Sequence, residues 1–407
     1  MKTEKIKLIT YVFLLIQAVG CASTDIFLPS LPKLGKEFCA SVPVVNLTIS
    51  LFAAGMAIGC LFTGYISDRI GRRSTFLWSN VLYFIVSLLI STTFYIWPMI
   101  ILRFIQGLTV AGPMIVCRQI VKESFPKDTH LNAFATLSIG AFLSPAVAPI
   151  IGAYIVHYIS WRFCFILPAL FIATLVFFSR KIIPETVTDY KKIPDISKIA
   201  GDFKCFASSD IYILYVLIII SIFGAYFSFI SLSSEIYVVK LHLSILLYSK
   251  IFLLLALSYL AGNTLMGFLD KKKWGVNKII KTGIACAVAG ALIFLMSLFF
   301  KETLQKIFLI TLAASFIRMA YACAVNPIAS HLMSIFPEKS GFALGFFLFS
   351  ILMSGSICSA IASLMHSNLL FGMTLITVIL ILISLAAYMI ISVKTKNQKI
   401  VKADLNS

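Results

Sequence analysis

Apolar runs of about twenty residues or more alternate along this chain with short polar stretches. They cover 8–30, 43–66, 75–95, 97–121, 131–157, 160–179, 211–238, 244–269, 277–300, 304–335, 341–366 and 369–392. A helix rises about 1.5 Å per residue, so roughly 20 apolar residues cross a hydrocarbon core of about 30 Å. The pattern therefore predicts an all-α polytopic membrane protein with twelve transmembrane helices. Only one long polar stretch, Ser179 to Asp210, interrupts the series. It predicts two six-helix bundles, 1–180 and 210–394, joined by a cytoplasmic linker at 181–209 and followed by a cytoplasmic basic tail at 395–407.

The two halves echo each other, as in transporters built from parallel repeats. "STDIF" at Ser23 to Phe27 matches "SSEIY" at Ser233 to Tyr237, and "GYISDRIGRR" after span 2 matches "GFLDKKKWG" after span 8. Arg103, Pro113 and "SFPKD" in and after span 4 match Arg318, Pro327 and "IFPEK" in and after span 10. Three registers agree in order, so the acid at the end of span 1 recurs because its helix recurs.

Composition agrees with a membrane protein: 60% of residues are hydrophobic, 12% are charged, and the mean hydropathy is +1.00. Most of the 34 basic residues fall on one side if the amino terminus is cytoplasmic. By the positive-inside bias both termini are then cytoplasmic, and the net charge of +18 faces the anionic inner leaflet without any nucleic acid partner. Nine cysteines stand singly, with no CxxC pair and no histidine at ligand spacing, so neither a disulfide framework nor a metal site is expected. The first run lacks an A-x-A cleavage site and is expected to remain as a helix, not to act as a signal peptide.

Ionisable residues inside spans cost about 2.5–3.5 kcal/mol on insertion scales, so they mark cavities or partners. Asp25 lies about 27 Å along the helix from Lys7, and Arg103 lies about 9 Å inward of Trp97, so acid and base are expected at similar depth. A carboxylate held between burial and a guanidinium can take up and release a proton when its access changes. The bland alternative places Asp25 in the headgroup layer beside a proline-terminated helix end. Glu235, close to Lys240, reads as an outer-rim salt bridge, while Arg318 near the bilayer centre reads as a contact for substrate anions, a partner of Asp25 or a structural pair. No G-x-x-x-x-G-K-[ST] loop and no H-E-x-x-H motif is present, so no ATP or metal cofactor is expected and transport is expected to run on the proton gradient.

"GYISDRIGRRS" at Gly64 to Ser74 resembles the loop 2 to 3 signature of the major facilitator superfamily. "ILRFIQGLTVAGP" at Ile101 to Pro113 resembles the span 4 motif of its proton-coupled drug antiporters, and "SPAVAPIIGAYI" at Ser144 to Ile155 their span 5 antiporter motif. "TDIFLPSLPKL", "VCRQIVKESF", "SWRFCF" and "IPET" are similar to the bicyclomycin-resistance (Bcr/CflA) branch. The resemblance is dense before residue 200 and thin after it.

That resemblance implies drug and proton antiport across a bacterial inner membrane. It makes Asp25 the proton-binding acid and Arg103 the residue that tunes it. It implies a cytoplasmic gate of Asp68, Arg69, Gly71, Arg72, Arg73, Arg118 and Glu123, in which Arg72 pairs with Glu123 and Asp68 caps span 11 near Ser340 and Gly341. For Arg69, Arg72 and Arg73 simple positive-inside topology is the competing explanation. Ser144, Pro145, Ala148, Pro149 and Gly152 form the antiporter motif; Ala148 and Ala153 stand where glycines are often found, and Gln17 where some relatives have an extra acid. Small-residue stripes, including Gly55 with Gly59 and Gly341 with Gly345, read either as seams between moving halves or as ordinary packing. Gln17, Phe27, Tyr226, Arg318 and Asn326 are the candidate substrate wall, with Tyr11, Phe227, Phe229 and Met353 as further apolar positions.

The expectation is a monomeric secondary transporter that exchanges amphipathic small molecules, drugs included, for protons, and not an enzyme. The alternatives are a dedicated metabolite or siderophore exporter, uptake by symport, and a non-transporting membrane sensor. A substrate panel separates these.

Overall fold

The computed structural model describes residues 3–126, 129–187, 201, 204, 206, 208–335, 340–365 and 368–404. Helices α1 (Thr3–Asp25), α2 (Leu31–Glu37), α3 (Val42–Ile70), α4 (Arg72–Ser91), α5 (Ile96–Ser124), α6 (His130–Tyr158) and α7 (Phe163–Ser179) come first. Then follow α8 (Asp210–Ser234), α9 (Ile245–Lys271), α10 (Val276–Ser297), α11 (Thr303–Ile335), α12 (Ser340–Leu364) and α13 (Leu369–Asp404). Among the described residues ten stretches are helical, long and apolar enough to cross a membrane, α7 is a shorter apolar helix, and there is no strand. The 29-residue α6 stands at the place of the fifth span.

Most boundaries fall within a few residues of the hydropathy pattern, and the departures have local causes. The first run is not one helix to residue 30: α1 stops at Asp25, and a 3-10 turn at Leu28–Ser30 leads into α2. Pro29 and Pro32 lack the amide hydrogens that a continuous helix needs, so the chain re-nucleates at each of them. A single residue, Gly71, separates α3 from α4; its φ of +95° is open to glycine and strained for other residues. Helix α8 runs into a π-helical turn, Glu235–Lys240, and α13 continues as helix through 395–404, where a tail was expected. That end holds no proline or glycine to stop it. Lys127, Asp128, Pro337 to Lys339 and most of the expected 181–209 linker lie outside the described residues.

The chain divides into two compact units, Met1–Asp195 with Ser231–Ala256 and Ile196–Ile230 with Leu257–Ser407. In the first, Phe13, Phe52, Phe76 and Tyr83 pack with Val116 and Ile120 in a core drawn from α1, α3, α4 and α5. Helices α3 and α5 lie backbone to backbone: a methyl added at Gly55 would strike the Phe104 carbonyl, and one at Gly59 the Ala111 side chain. Of the two readings of this stripe, the contacts favour packing inside one unit over a moving seam. Gly345 differs, with nothing within 4 Å of an added methyl, and the side chains at Ser340 and Gly341 lie outside the described residues.

In the second unit, α10 packs closely along α11 through Gly283 and Gly290, where an added methyl would press on the Ala320 and Ala313 carbonyls. Tyr212 donates to the Ala343 carbonyl at 3.0 Å, and Tyr215 to Asn277 Oδ1 at 2.7 Å. These bonds fix the start of α8 against α10 and α12.

Candidate functional site

Arg103 is completely buried on α5. Its Nε donates to the Thr48 carbonyl at 3.1 Å, and its Nη1 to the Ser23 carbonyl at 3.3 Å and to Gln106 Oε1 at 2.7 Å. The amide of Gln106 in turn donates to Ser87 Oγ at 2.7 Å. One guanidinium thus joins α1, α3, α4 and α5. Phe52, Phe27 and Phe165 surround it with ring centroids at 4.2, 5.0 and 5.6 Å. Each such ring face is worth about 0.5–2 kcal/mol, which together with charged hydrogen bonds offsets the removal of the cation from water.

Asp25 is the last residue of α1, two residues beyond the carbonyl that Arg103 grips, and it is half-buried. Ser144 Oγ donates to its Oδ2 at 3.3 Å. Ser144 itself is buried on α6 beside Pro145, and Ala148 and Pro149 follow one turn on, also buried. Gly152, another turn on, lies directly against the Ile26 carbonyl, which its missing side chain makes possible. The Lys33 ammonium donates to the Val156 carbonyl, so α6 is held to the end of α1 and to α2 along its length. The antiporter-motif residues therefore form the bed on which the Asp25 turn rests.

Near this turn, Gln17, Cys21, Asn80, Tyr83, Met114 and Arg118 line a small pocket. Gln17 Nε2 and Arg118 Nη1 both donate to the Met114 carbonyl, at 3.3 and 2.9 Å. Arg118 thus lies with Gln17 and not in the ionic cluster at the α3–α4 turn, the gate to which it was assigned.

That cluster contains Asp68, Arg72 and Glu123. Arg72 is buried, with its guanidinium 2.5 Å from Asp68 Oδ1 and 3.0 Å from Glu123 Oε1. It also donates to Ser67 Oγ at 2.5 Å. Arg69 is exposed. Arg73 Nη2 donates to the Arg180 carbonyl at 2.7 Å.

Sequence reasoning gave Glu185 no role, although "IPET" contains it. Its Oε1 accepts the Arg72 amide hydrogen at 2.8 Å and its Oε2 that of Arg73 at 3.1 Å, so a carboxylate caps the N-terminus of α4. Thr186 Oγ1 donates to Glu123, which closes the cluster from the same segment. "SWRFCF" also has a structural role: Arg162 pairs with Glu37 at 2.8 Å and stacks on Trp161, whose Nε1 donates to Glu37 Oε2 at 2.6 Å. Gln106 lies one turn from Arg103, and that spacing was the available signal for it.

The candidate substrate wall is partly rearranged. Phe27 and Phe229 are fully buried, against Phe165 and Phe294, so both are packing residues and not wall. Tyr11 is exposed, Met353 is half-buried, and Phe227 stacks on Phe223. Asn326 Nδ2 donates to Asn263 Oδ1 at 3.3 Å. In the second unit the Arg318 guanidinium lies over Tyr226 and Tyr259, at 4.4 and 4.5 Å from their centroids, with Tyr321 at 5.8 Å. Glu235 begins the π-turn with Lys240 and Lys36 as neighbouring cations, but neither is at ion-pair distance. The expected rim salt bridge is not among the ion pairs of the described residues.

A polytopic helical bundle with charge held inside its spans defines an integral membrane protein with a functional site within the membrane, and its family makes it a transporter and not an enzyme. The chain matches the Major Facilitator Superfamily over residues 13–360 and belongs to that family. It is 31% identical over 236 residues to a bicyclomycin resistance protein homolog of Haemophilus influenzae, an alignment covering 56% of this chain and 58% of that protein. A chloramphenicol resistance protein of Pseudomonas aeruginosa is 23% identical over 364 residues, covering 88% of this chain and 85% of that one. Multidrug resistance protein D of Escherichia coli is 24% identical over 186 residues, covering 46% and 47%. A D-xylose-proton symporter shares the fold with a TM-score of 0.71 at 17% identity, covering 93% of this chain and 97% of that one. A POT family transporter in complex with a thioalcohol-conjugated peptide does so with a TM-score of 0.75 at 14% identity, covering 96% of each.

Proposed function

We propose that this chain is a proton-coupled exporter of drugs or other amphipathic small molecules in a bacterial inner membrane, with both termini cytoplasmic. The observation that carries the reading is Asp25. An acid ends α1 with its carboxylate on the Ser144 hydroxyl, while the neighbouring Ser23 carbonyl is tied to the buried Arg103. A carboxylate on a turn braced from two sides has a position that depends on the packing of α1 against α6, and its protonation in turn alters the hydrogen bond to Ser144. This is the linkage that a carrier needs between proton occupancy and helix packing.

A bicyclomycin resistance protein homolog and a chloramphenicol resistance protein among the relatives support export as the direction. In this reading Asp68, Arg72, Glu123 and Glu185 latch the cytoplasmic end, and the small-molecule substrate and the proton are the partners of a monomer.

The test uses inverted vesicles containing wild type or Asp25→Asn, with an acidified lumen and chloramphenicol-like, sulfonamide, quinolone and cationic compounds added in turn. Proton release triggered by a compound in the wild type and absent in Asp25→Asn is the expected result. Equal release by both variants removes Asp25 from the coupling, and silence from folded protein across the panel shifts the reading to a dedicated metabolite exporter or a sensor.

A further inference from the structure

Arg103 and Arg318, each inside a span, differ in how their donors are used. Arg103 is wholly buried and donates to three acceptors, two of them backbone carbonyls. Arg318 on α11 is half-buried, and within its unit no described hydrogen bond or ion pair engages it. Its partners are the faces of Tyr226, Tyr259 and Tyr321.

A guanidinium is planar, and ring faces satisfy its charge from above and below without accepting its N–H groups. The three ring contacts hold the guanidinium carbon and use none of its N–H donors, so a fork of parallel donors remains for an acceptor. Its Nε is buried and has no hydrogen-bond partner. Arg103 also leaves one nitrogen, Nη2, unpaired, but it makes three hydrogen bonds where Arg318 makes none among the described residues. The surrounding groups give the ligand its further character. Tyr226 is buried, Phe223 lies against Tyr321 with centroids 5.3 Å apart, and Tyr259 is 6.4 Å from Tyr321. The setting is aromatic and apolar apart from the phenol hydroxyls.

We propose that Arg318, held by Tyr226, Tyr259 and Tyr321, is the recognition point for the acidic group of aromatic carboxylates, so that acidic planar compounds are a preferred substrate class of this transporter. This deepens the export reading and rests on it for its biological meaning. The carboxylate accepts two N–H bonds in the guanidinium plane while its aromatic body lies among the tyrosine rings.

The test is equilibrium binding to the purified full-length protein in detergent, where no proton gradient is needed. The probes are radiolabelled nalidixic acid, a planar aromatic carboxylate, and its carboxamide as a neutral match. Wild type is expected to bind the acid about tenfold or more tighter than the amide, as a bidentate charged contact requires. Arg318→Gln should erase that preference, with acid binding falling more than amide binding. Arg318→Lys, which keeps the charge but not the flat fork, should weaken acid binding about tenfold.

Equal binding of acid and amide by wild type overturns the proposal, as does a preference that survives Arg318→Gln, or a folded wild type that binds neither probe. Should Arg318→Gln not fold, acid binding undiminished in Arg318→Lys overturns it instead. Adding both probes to inverted vesicles of the wild type separates the two readings: acid preference in binding without proton movement leaves this site standing and removes antiport, and proton movement driven only by neutral compounds does the reverse.

Discussion

The Glu185 carboxylate accepts the amide hydrogens of both Arg72 and Arg73, at 2.8 and 3.1 Å, and so closes the N-terminus of α4 from the segment that follows α7. It lies directly over Gly71, the one residue between α3 and α4. A helix terminus offers amide hydrogens and a partial positive charge, and a carboxylate meets both. The segment after α7 is thereby anchored to the Arg72 cluster.

Glu185→Ala is expected to cost about 0.5–2 kcal/mol, the usual range for a lost helix cap. Glu185→Gln should cost less, since an amide oxygen still accepts one of the bonds. The check is the apparent melting temperature in detergent, with Ala lowest, Gln intermediate and wild type highest.

Gly71→Ala should be worse than loss of the cap alone. It places a side chain at a φ of +95° and drives its methyl into the Glu185 carboxylate. Combining it with Glu185→Ala should relieve the clash but not the backbone strain, so the double variant is expected to be more stable than the sum of the two single changes predicts. Strictly additive melting shifts would show that the two residues do not interact.

Arg103→Ala should destabilise by about 3–5 kcal/mol, because the Gln106 amide oxygen and two backbone carbonyls lose their donor in a buried setting. Arg103→Lys retains the charge but has one donor group for acceptors on three sides. It is expected to fold and to lose most proton-coupled efflux, which vesicle transport and size-exclusion elution would measure separately. Full efflux by the lysine variant would mean that charge alone suffices at this position.

Ser144→Ala removes the hydroxyl that donates to Asp25 and leaves a small cavity on α6. Efflux should fall severalfold with little change in stability, and Ser144→Thr, which keeps the hydroxyl, should recover most of it. Gly152→Ala acts on the same turn from the other side by pressing on the Ile26 carbonyl. It should lower both efflux and melting temperature, and a variant unchanged in both would show that α1 and α6 are not held as closely as the structure has them.

Hydropathy alone marked the helices of this chain, because a bilayer demands about twenty apolar residues wherever the backbone crosses it and the requirement is local. The same locality made Asp25, Arg103, Arg72 and Arg318 conspicuous, since each is a charge in or beside an apolar run. Local pattern does not say what a charge touches. That Arg103 spends its donors on Ser23, Thr48 and Gln106, that Arg318 lies bare-edged among tyrosines, and that Phe27 is buried packing follow from helices brought together across large sequence separations. The role of Glu185 was hidden for the same reason: a carboxylate in a polar segment looks like any solvated acid until the fold sets it over the amide hydrogens of a helix that begins 113 residues earlier. Burial is written residue by residue into the chain, whereas the pairing of donors with acceptors exists only once the helices have packed.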